Sequence, residues 1–309
     1  MKRGAFVLAA ILLIAGCAKV SGDALCVDVV RHRNAHGAIV HLYGDSIARG
    51  KALERYEDGA DPLDLEHPLY AFRSIASTAN WALEHNGRPE RFAYCGAINT
   101  DTIASRIASG VIRAGDTVVL EDAGRYRRGV ADYYDFMLRA RQAAEAPGVT
   151  VVMMTMFDYC VGANMACANP DAQYDRARSN GPDDTGTLNS ATRGAATIRF
   201  SSTRARDPAR RPGRTVLIEM NTIMDDWRSS ALSMDGVNVM DNDGVHPNVW
   251  GQMKMTQHIL AAAGLRPYIA DVDPLQDLAE ANYQTLAYGS ASFTPDRART
   301  YVAQMLDGR

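Results

Sequence analysis

The sequence predicts an α/β fold in which helices cover both faces of a five-stranded parallel sheet. Short apolar runs rich in β-branched residues alternate with longer segments of helical periodicity, which is typical of doubly wound parallel sheets. After its first sixteen residues, the chain of 309 residues is still long enough for one sizeable domain core. No later segment holds eighteen uninterrupted apolar residues, so none is a candidate transmembrane helix.

The predicted strands and helices alternate along the chain. The strands are predicted at residues 39–43, 92–95, 117–120, 149–155 and 215–220. The helices are predicted at residues 69–85, 102–109, 131–146, 188–203 and 247–263. Ligands of such sheets bind at the carboxyl ends of the strands. Ser46, Gly96 and Glu121 follow the first, second and third strands, so we expect them to meet at one edge of the sheet.

The remaining segments divide the chain into four parts. Residues 1–16 are predicted to be a signal peptide, 17–36 a tether, 37–270 the main domain and 271–309 a helical extension. Residues 157–187 show little periodicity, and a loop of that length is often functional, so we expect a lid or a substrate wall there.

Charge and cysteine spacing exclude some classes of partner. The net charge is −3 and the pI is about 6.2, so there is no basic footprint for nucleic acid. The cysteines do not have the spacing of a zinc site. We therefore predict no metal, no cofactor and no nucleic-acid partner.

Two short segments two hundred residues apart carry the predicted chemistry. The first strand runs into Gly44-Asp45-Ser46, and Asp243-Gly-Val-His246-Pro247 precedes the last predicted helix of the domain. A serine hydroxyl becomes a useful nucleophile only when a base takes its proton and a carboxylate orients that base. These residues, in this order and context, resemble the GDSL (SGNH) family of serine esterases and acyl hydrolases.

The resemblance implies a flavodoxin-like SGNH hydrolase fold, a three-layer α/β/α sandwich. It also implies a triad in which Ser46 is the nucleophile, His246 the base and Asp243 the orienting acid. Asp241 is the alternative acid, but the spacing favours Asp243. The competing interpretations are that Ser46 caps the helix that begins near Ile47 and that His246 only packs in a loop.

The oxyanion hole is predicted from the backbone N–H of Ser46, with Gly96 and Asn99 as further donors. The alternatives are a turn glycine at Gly96 and a helix cap at Asn99. Members of the family usually have Gly-x-Asn-Asp after the third strand, whereas this chain has Glu121-Asp-Ala-Gly-Arg125. A carboxylate near the hole would oppose a developing oxyanion. We therefore expect Glu121 to point away or to pair with an arginine, such as Arg125 or Arg127; binding a substrate hydroxyl is the other interpretation.

The start of the chain resembles a bacterial lipoprotein signal. A short basic segment precedes an apolar stretch over residues 4–15, which ends in Ile14-Ala15-Gly16-Cys17. The resemblance implies lipidation at Cys17 and, with alanine rather than aspartate next, the outer membrane, facing the periplasm or the cell surface. Acyl chains would then anchor the domain to the membrane without a spanning helix. An ordinary cleaved signal followed by a free cysteine is the alternative.

Four cysteines remain after Cys17, an even number that suits an oxidising compartment. Cys160 and Cys167 enclose a short loop and are the favoured disulfide pair, which leaves Cys26 with Cys95. Three connectivities are formally open, and free buried thiols are the alternative to all of them.

The leading hypothesis is a lipid-anchored serine esterase that cleaves carboxylic esters through an acyl-enzyme intermediate. Its expected substrates are small esters or acylated glycans, such as O-acetyl groups of the cell envelope. One alternative is an O-acetyltransferase with the same triad. The other is a glycan- or partner-binding lipoprotein without catalysis, which the missing family asparagine favours and the retained triad residues oppose.

Overall fold

A computed structural model gives the structure of the protein. It describes residues 26, 37–50, 74–121, 129–155, 188–197, 213–223, 233–234, 237–238, 247 and 249–265. The five main strands are β1 (Ile39–Tyr43), β2 (Arg91–Tyr94), β3 (Thr117–Leu120), β4 (Thr150–Met154) and β5 (Arg214–Ile218). The helices are α1 (Ser46–Arg49), α2 (Ile75–His85), α3 (Thr100–Ala108), α4 (Val130–Ala144), α5 (Leu188–Thr197), α6 (Met220–Ile223) and α7 (Val249–Ala262). A small antiparallel pair, β6 (Ser233–Met234) with β7 (Val237–Asn238), completes the described elements.

The five main strands form one parallel sheet in the order β2-β1-β3-β4-β5. This is the flavodoxin-like order. The connection from β1 to β2 runs one way across the sheet and the later connections run the other way. Right-handed crossovers therefore send their helices to opposite faces. Helix α2 contacts α7, and α4 contacts both α3 and α5, so the helices form two layers. The predicted α/β sandwich is confirmed.

The core lies where the central strands are covered on both faces. All five residues of β1 and all four of β3 are buried, which explains why these strands read as continuous apolar runs rather than alternating ones. Each fully buried valine, leucine or isoleucine side chain contributes about 1.5–3 kcal/mol relative to an exposed one. Burial of side chains on both faces of β1 therefore supplies most of the free energy that holds this strand in place.

The predicted boundaries agree with the observed elements to within a few residues where both are described. The strands at residues 39–43 and 117–120 are confirmed as predicted. Helix α2 begins at Ile75 because Ser74 and Ser77 form a reciprocal capping box, and residues 69–73 of that prediction lie outside the described residues. The long loop at 157–187 and the extension at 271–309 also lie outside them.

Of the helices that the structure describes, none is both long enough and apolar enough to cross a membrane. Cys17, the predicted lipidation site, is outside the described part of the chain, so the lipid anchor stays a prediction.

Candidate active site

The turn that carries Ser46 leaves the carboxyl end of β1. Strand β1 lies between β2 and β3, and the connections on either side of it go to opposite faces. Such a point in a parallel sheet leaves a crevice outside the strand ends, and ligands bind in that crevice. Glu121 follows β3 beside it, with its backbone N–H donating to Tyr43 O at 2.9 Å. The topology therefore places Ser46 where this fold class forms its sites.

Gly44 is a glycine because of what surrounds it. A β-carbon at this position would overlap the Glu121 carboxylate and would lie 2.5 Å from the β-carbon of Ala48. The turn can pass so close to the end of β3 only without a side chain at Gly44. The sharp change from strand to helix that exposes Ser46 depends on this close approach.

Asp45, not Ser46, caps the short helix. The Asp45 carboxylate accepts a hydrogen bond from the backbone N–H of Ile47 at 2.8 Å, and Ser46 is the first helical residue. The capping role proposed for Ser46 as an alternative is therefore filled by its neighbour. The Ser46 side chain is partly exposed, as a nucleophile must be.

The second strand holds the turn from the other side. The N–H of Gly44 donates to Gly96 O at 2.9 Å, and the Tyr94 hydroxyl donates to Gly44 O at 3.2 Å. Gly96 has φ +86°, in the left-handed region that favours glycine. A β-carbon added there would meet nothing within 4 Å. Gly96 is therefore required by its backbone conformation, and open space lies beside it.

Asn99 caps α3. Its Oδ1 accepts from the N–H of Thr102 at 2.9 Å, and the residue is exposed. The cap that sequence reasoning offered as the alternative is thus present. The cap uses only the amide oxygen. A donor role for the Asn99 amide nitrogen in an oxyanion hole stays a prediction, as does the role of Gly96.

The Glu121 carboxylate contacts the backbone of the turn that carries Ser46, and its direction relative to an oxyanion hole stays a prediction. Its Oε2 accepts from the backbone N–H of Asp45 at 3.2 Å, and the residue is only 5% exposed. The physical reason is local: the space beside Gly44 admits the carboxylate, and the N–H of Asp45 requires an acceptor when the turn is buried. Arg125 and Arg127, the predicted salt-bridge partners, lie outside the described residues.

Helix α7 contacts the turn that carries Ser46 through a buried side chain. The Nε2 of Gln252 donates to Ile47 O at 3.0 Å, across 205 positions of sequence. A second buried polar residue, Thr256, has its hydroxyl 2.8 Å from Gln252 O in the same helix and 3.4 Å from Ile75 O on α2. The turn after β1 is therefore held by groups from β2, the end of β3 and α7.

The structure does not test the predicted partners of Ser46. Asp243 and His246 lie outside the described residues, as does the alternative acid Asp241. Pro247, directly after His246, is described and buried. The structure thus shows where Ser46 lies and where the helix after His246 lies.

Gln252 and Tyr94 are not among the residues predicted for the site. The sequence does not single out Gln252, because α7 also contains Lys254, Thr256, Gln257 and His258. Gln252 is fully buried, and a buried amide needs a partner. Nothing in the sequence identifies that partner as the carbonyl next to Ser46.

A second buried cluster surrounds His41, the middle residue of β1. Cys26 and Cys95 form a disulfide, which confirms that predicted pair; Cys160 and Cys167 lie outside the described residues. The Nδ1 atom of His41 is 3.8 Å from both sulfurs, and its Nε2 is 3.3 Å from Asp116 Oδ2. His41 is fully buried and contacts these partners, so it is a core residue.

Cys26, His41 and Cys95 also form a group whose ligand atoms lie within 4.8 Å of one another, close enough for a metal ion. Both sulfurs are consumed by the disulfide, and only thiolate sulfur is a strong metal ligand. In this oxidised state the cluster is part of the core.

Comparison with known proteins gives structural similarities at low sequence identity. No protein-family model and no curated protein matches the chain. Three solved structures illustrate the similarity. LAE5, an alpha/beta hydrolase enzyme from the metagenome of Lake Arreo, is 18% identical with a TM-score of 0.43, covering 75% of this chain and 97% of that one.

A protein described as a GDSL-like lipase, from Parabacteroides merdae, is 14% identical with a TM-score of 0.44, covering 74% of this chain and 97% of that one. A variant of Axe2, an acetyl xylan esterase from Geobacillus stearothermophilus, is also 14% identical. Its TM-score is 0.42, and the match covers 75% of this chain and 96% of that one.

Proposed function

We propose that the protein is a serine hydrolase that cleaves carboxylic esters, with Ser46 as nucleophile, His246 as base and Asp243 as the acid that orients it. The observation that carries the proposal is the position of Ser46. It starts a helix directly after a central strand, at the switch point of the sheet, on a turn held by groups from β2, the end of β3 and α7.

The contact between α7 and this turn supports the pairing with His246. His246 lies three residues before Val249, where α7 begins, and six before Gln252. Three extended residues span at most about 11 Å, and three residues of helix add about 4.5 Å. The α-carbon of His246 therefore lies within about 15 Å of Gln252, which contacts the residue after Ser46.

In the proposed reaction, Ser46 Oγ attacks the ester carbonyl while His246 accepts the hydroxyl proton. The tetrahedral intermediate then collapses, and His246 returns the proton to the leaving alcohol. Water, deprotonated by the same imidazole, attacks the acyl-enzyme. The second tetrahedral intermediate then releases the acid as His246 returns that proton to Ser46 Oγ. Asp243 holds the imidazole tautomer and stabilises the imidazolium that forms.

The developing negative charge would be stabilised by the N–H of Ser46, with Gly96 and the Asn99 amide as further donors. Loss of one such donor commonly lowers kcat by about 10²–10³. No asparagine is found in the segment after β3. The proposal therefore assigns a larger share of the stabilisation to donors after β2.

Small acyl groups on cell-envelope glycans are the proposed substrates, and the proposed location is a membrane surface to which lipidated Cys17 anchors the domain. Both rest on the N-terminal signal and the resemblance in the sequence. Metabolic labelling with a palmitate analogue tests the anchor: we expect label in the wild type and none in Cys17→Ser.

Hydrolysis of p-nitrophenyl esters from acetate to palmitate by the full chain tests the activity. We expect turnover that is fastest for short acyl groups and absent in Ser46→Ala. The matched control is Ser105→Ala, on the exposed side of α3, which should keep the wild-type rate. A folded wild type that hydrolyses none of the esters would contradict the proposal. Acetyl transfer to an oligosaccharide in preference to water would make the enzyme a transferase.

A further inference from the structure

Glu121 occupies an unusual place for a buried carboxylate. It follows β3, is 5% exposed, and its Oε2 accepts the N–H of Asp45 at 3.2 Å. Asp45 directly precedes the proposed nucleophile. The peptide unit that joins Gly44 to Asp45 is held at both of its polar groups, since the Tyr94 hydroxyl donates to Gly44 O and Glu121 accepts from Asp45 N–H. Glu121 therefore helps to fix the direction in which the chain enters Ser46.

Four polar backbone groups of the turn have partners from other parts of the chain. Gly44 uses Gly96 O and the Tyr94 hydroxyl, Asp45 N–H uses Glu121, and Ile47 O uses Gln252. Of the two acceptors, Glu121 is the one that bonds to the N–H of the residue directly before Ser46. It also packs where a β-carbon of Gly44 would lie, so its carboxylate fills the inner side of the turn.

We propose that Glu121 is a positioning residue for catalysis, which holds the Asp45 peptide and thereby sets the direction of Ser46 Oγ. This inference rests on the proposed function. The carboxylate does not touch the substrate. It acts through the backbone, and a nucleophile displaced by about 1 Å can lose about 10² in rate.

The chain supplies a matched control at the opposite edge of the sheet. Asp116 directly precedes β3 and is 1% exposed. Its Oδ1 accepts from the N–H of Ile39, at the start of β1, at 3.0 Å. Both carboxylates therefore tie β3 to a backbone N–H beside β1, but only Glu121 does so next to Ser46.

Four variants separate positioning from general stability: Glu121→Ala, Glu121→Gln, Asp116→Ala and Asp116→Asn. Ester turnover, urea unfolding and amide hydrogen exchange are measured for each full-length protein. We expect Glu121→Ala to lower kcat at least 30-fold with KM changed less than threefold. Glu121→Gln retains an oxygen acceptor and should keep kcat within about threefold of the wild type. Asp116→Ala should lose stability without a comparable loss of kcat.

Hydrogen exchange provides a readout that does not need activity. The amide of Asp45 should exchange at least tenfold faster in Glu121→Ala and at the wild-type rate in Glu121→Gln. Unchanged exchange in Glu121→Ala overturns the proposal whether or not the protein is an esterase. An equal fall in kcat for both Glu121 variants also overturns it, because the charge would then be the essential property. A wild type without ester turnover removes the proposed function and with it the catalytic role of Glu121, while the exchange result still decides whether Glu121 holds the turn.

Discussion

Asn99 carries an acceptor and a donor on one amide, and only the acceptor is needed for the cap of α3. Aspartate at this position keeps the acceptor and loses the donor, whereas alanine loses both. The pair Asn99→Asp and Asn99→Ala therefore separates the cap from the proposed oxyanion contact.

We expect Asn99→Asp to lower kcat about 10²-fold or more while the free energy of unfolding stays within about 0.5 kcal/mol of the wild type. Asn99→Ala should lose similar activity and, in addition, about 1 kcal/mol of stability. Steady-state kinetics and urea unfolding measure the two effects. If Asn99→Asp keeps the wild-type kcat, the residue only caps α3 and has no part in an oxyanion hole.

Helix α7 contacts the turn that carries Ser46, although it lies far from that turn in sequence. Gln252 makes the contact. We expect Gln252→Leu to lower kcat at least tenfold, because the carbonyl of Ile47 and the helix that follows His246 are no longer held together. The bond is buried, so its loss should also cost about 1–3 kcal/mol of unfolding free energy.

The control on the same helix is Thr256→Val, which removes the hydroxyl contacts to Gln252 O and Ile75 O and leaves the bond from the Gln252 side chain to Ile47 O. It should destabilise the fold to a similar or smaller extent while kcat stays near the wild-type value. If both variants lose activity in proportion to stability, the contact at Gln252 has no special part in the site.

Helix α7 also carries a histidine that resists protonation. Burial, reinforced by the positive charge of Lys254, lowers the pKa of His258 from its ordinary 6.5 to about 4. Its buried Nε2 atom has no hydrogen-bond partner among the residues that the structure describes. In the unfolded chain this imidazole takes up a proton below pH 6.5, whereas in the folded chain it does so only near pH 4.

The unfolded state therefore binds more protons between these two values, and stability falls as the pH is lowered through them. The contribution of His258 is fully present above pH 6.5 and decreases by up to about 3 kcal/mol towards pH 4. Urea unfolding of the wild type and His258→Gln at several pH values measures it. The difference between the two proteins should change across this range; a constant difference would contradict the lowered pKa.

For the molecule as a whole, the disulfide between Cys26 and Cys95 closes a loop with a sequence separation of 69. Loop-closure entropy in the unfolded chain predicts that it contributes about 4 kcal/mol to stability. We expect Cys26→Ser with Cys95→Ser to lower the free energy of unfolding by an amount of that order. A reductant should have the same effect on a Cys160→Ser, Cys167→Ser protein, and an unchanged midpoint in urea would contradict the prediction.

The sequence alone was sufficient to predict the sheet and the position of Ser46 after its first strand. Strands β1 and β3 are buried on both faces, so their apolar runs identify them without tertiary information. The alternation of strands and helices then places Gly44-Asp45-Ser46 at the carboxyl edge. The pair Cys26–Cys95 was one of the open connectivities and followed by elimination from the favoured pairing of Cys160 with Cys167.

The side-chain contacts of the site could not be predicted in the same way. The direction of Glu121 depends on the space beside Gly44, which exists only once β1 and β3 are paired. The bond from Gln252 to Ile47 joins residues 205 positions apart, and neither residue carries a local pattern that identifies the other. Periodicity predicts which residues are buried, but not which polar groups meet after burial.

The central claim, that Ser46 is a nucleophile activated by His246, is tested most directly by covalent labelling with a fluorophosphonate, followed by peptide mass spectrometry. The account predicts one adduct per folded chain, located on Ser46, absent in Ser46→Ala and formed at least 10³-fold more slowly in His246→Ala. No adduct on a folded wild type, or labelling of Ser46 at the same rate without the imidazole, would contradict it.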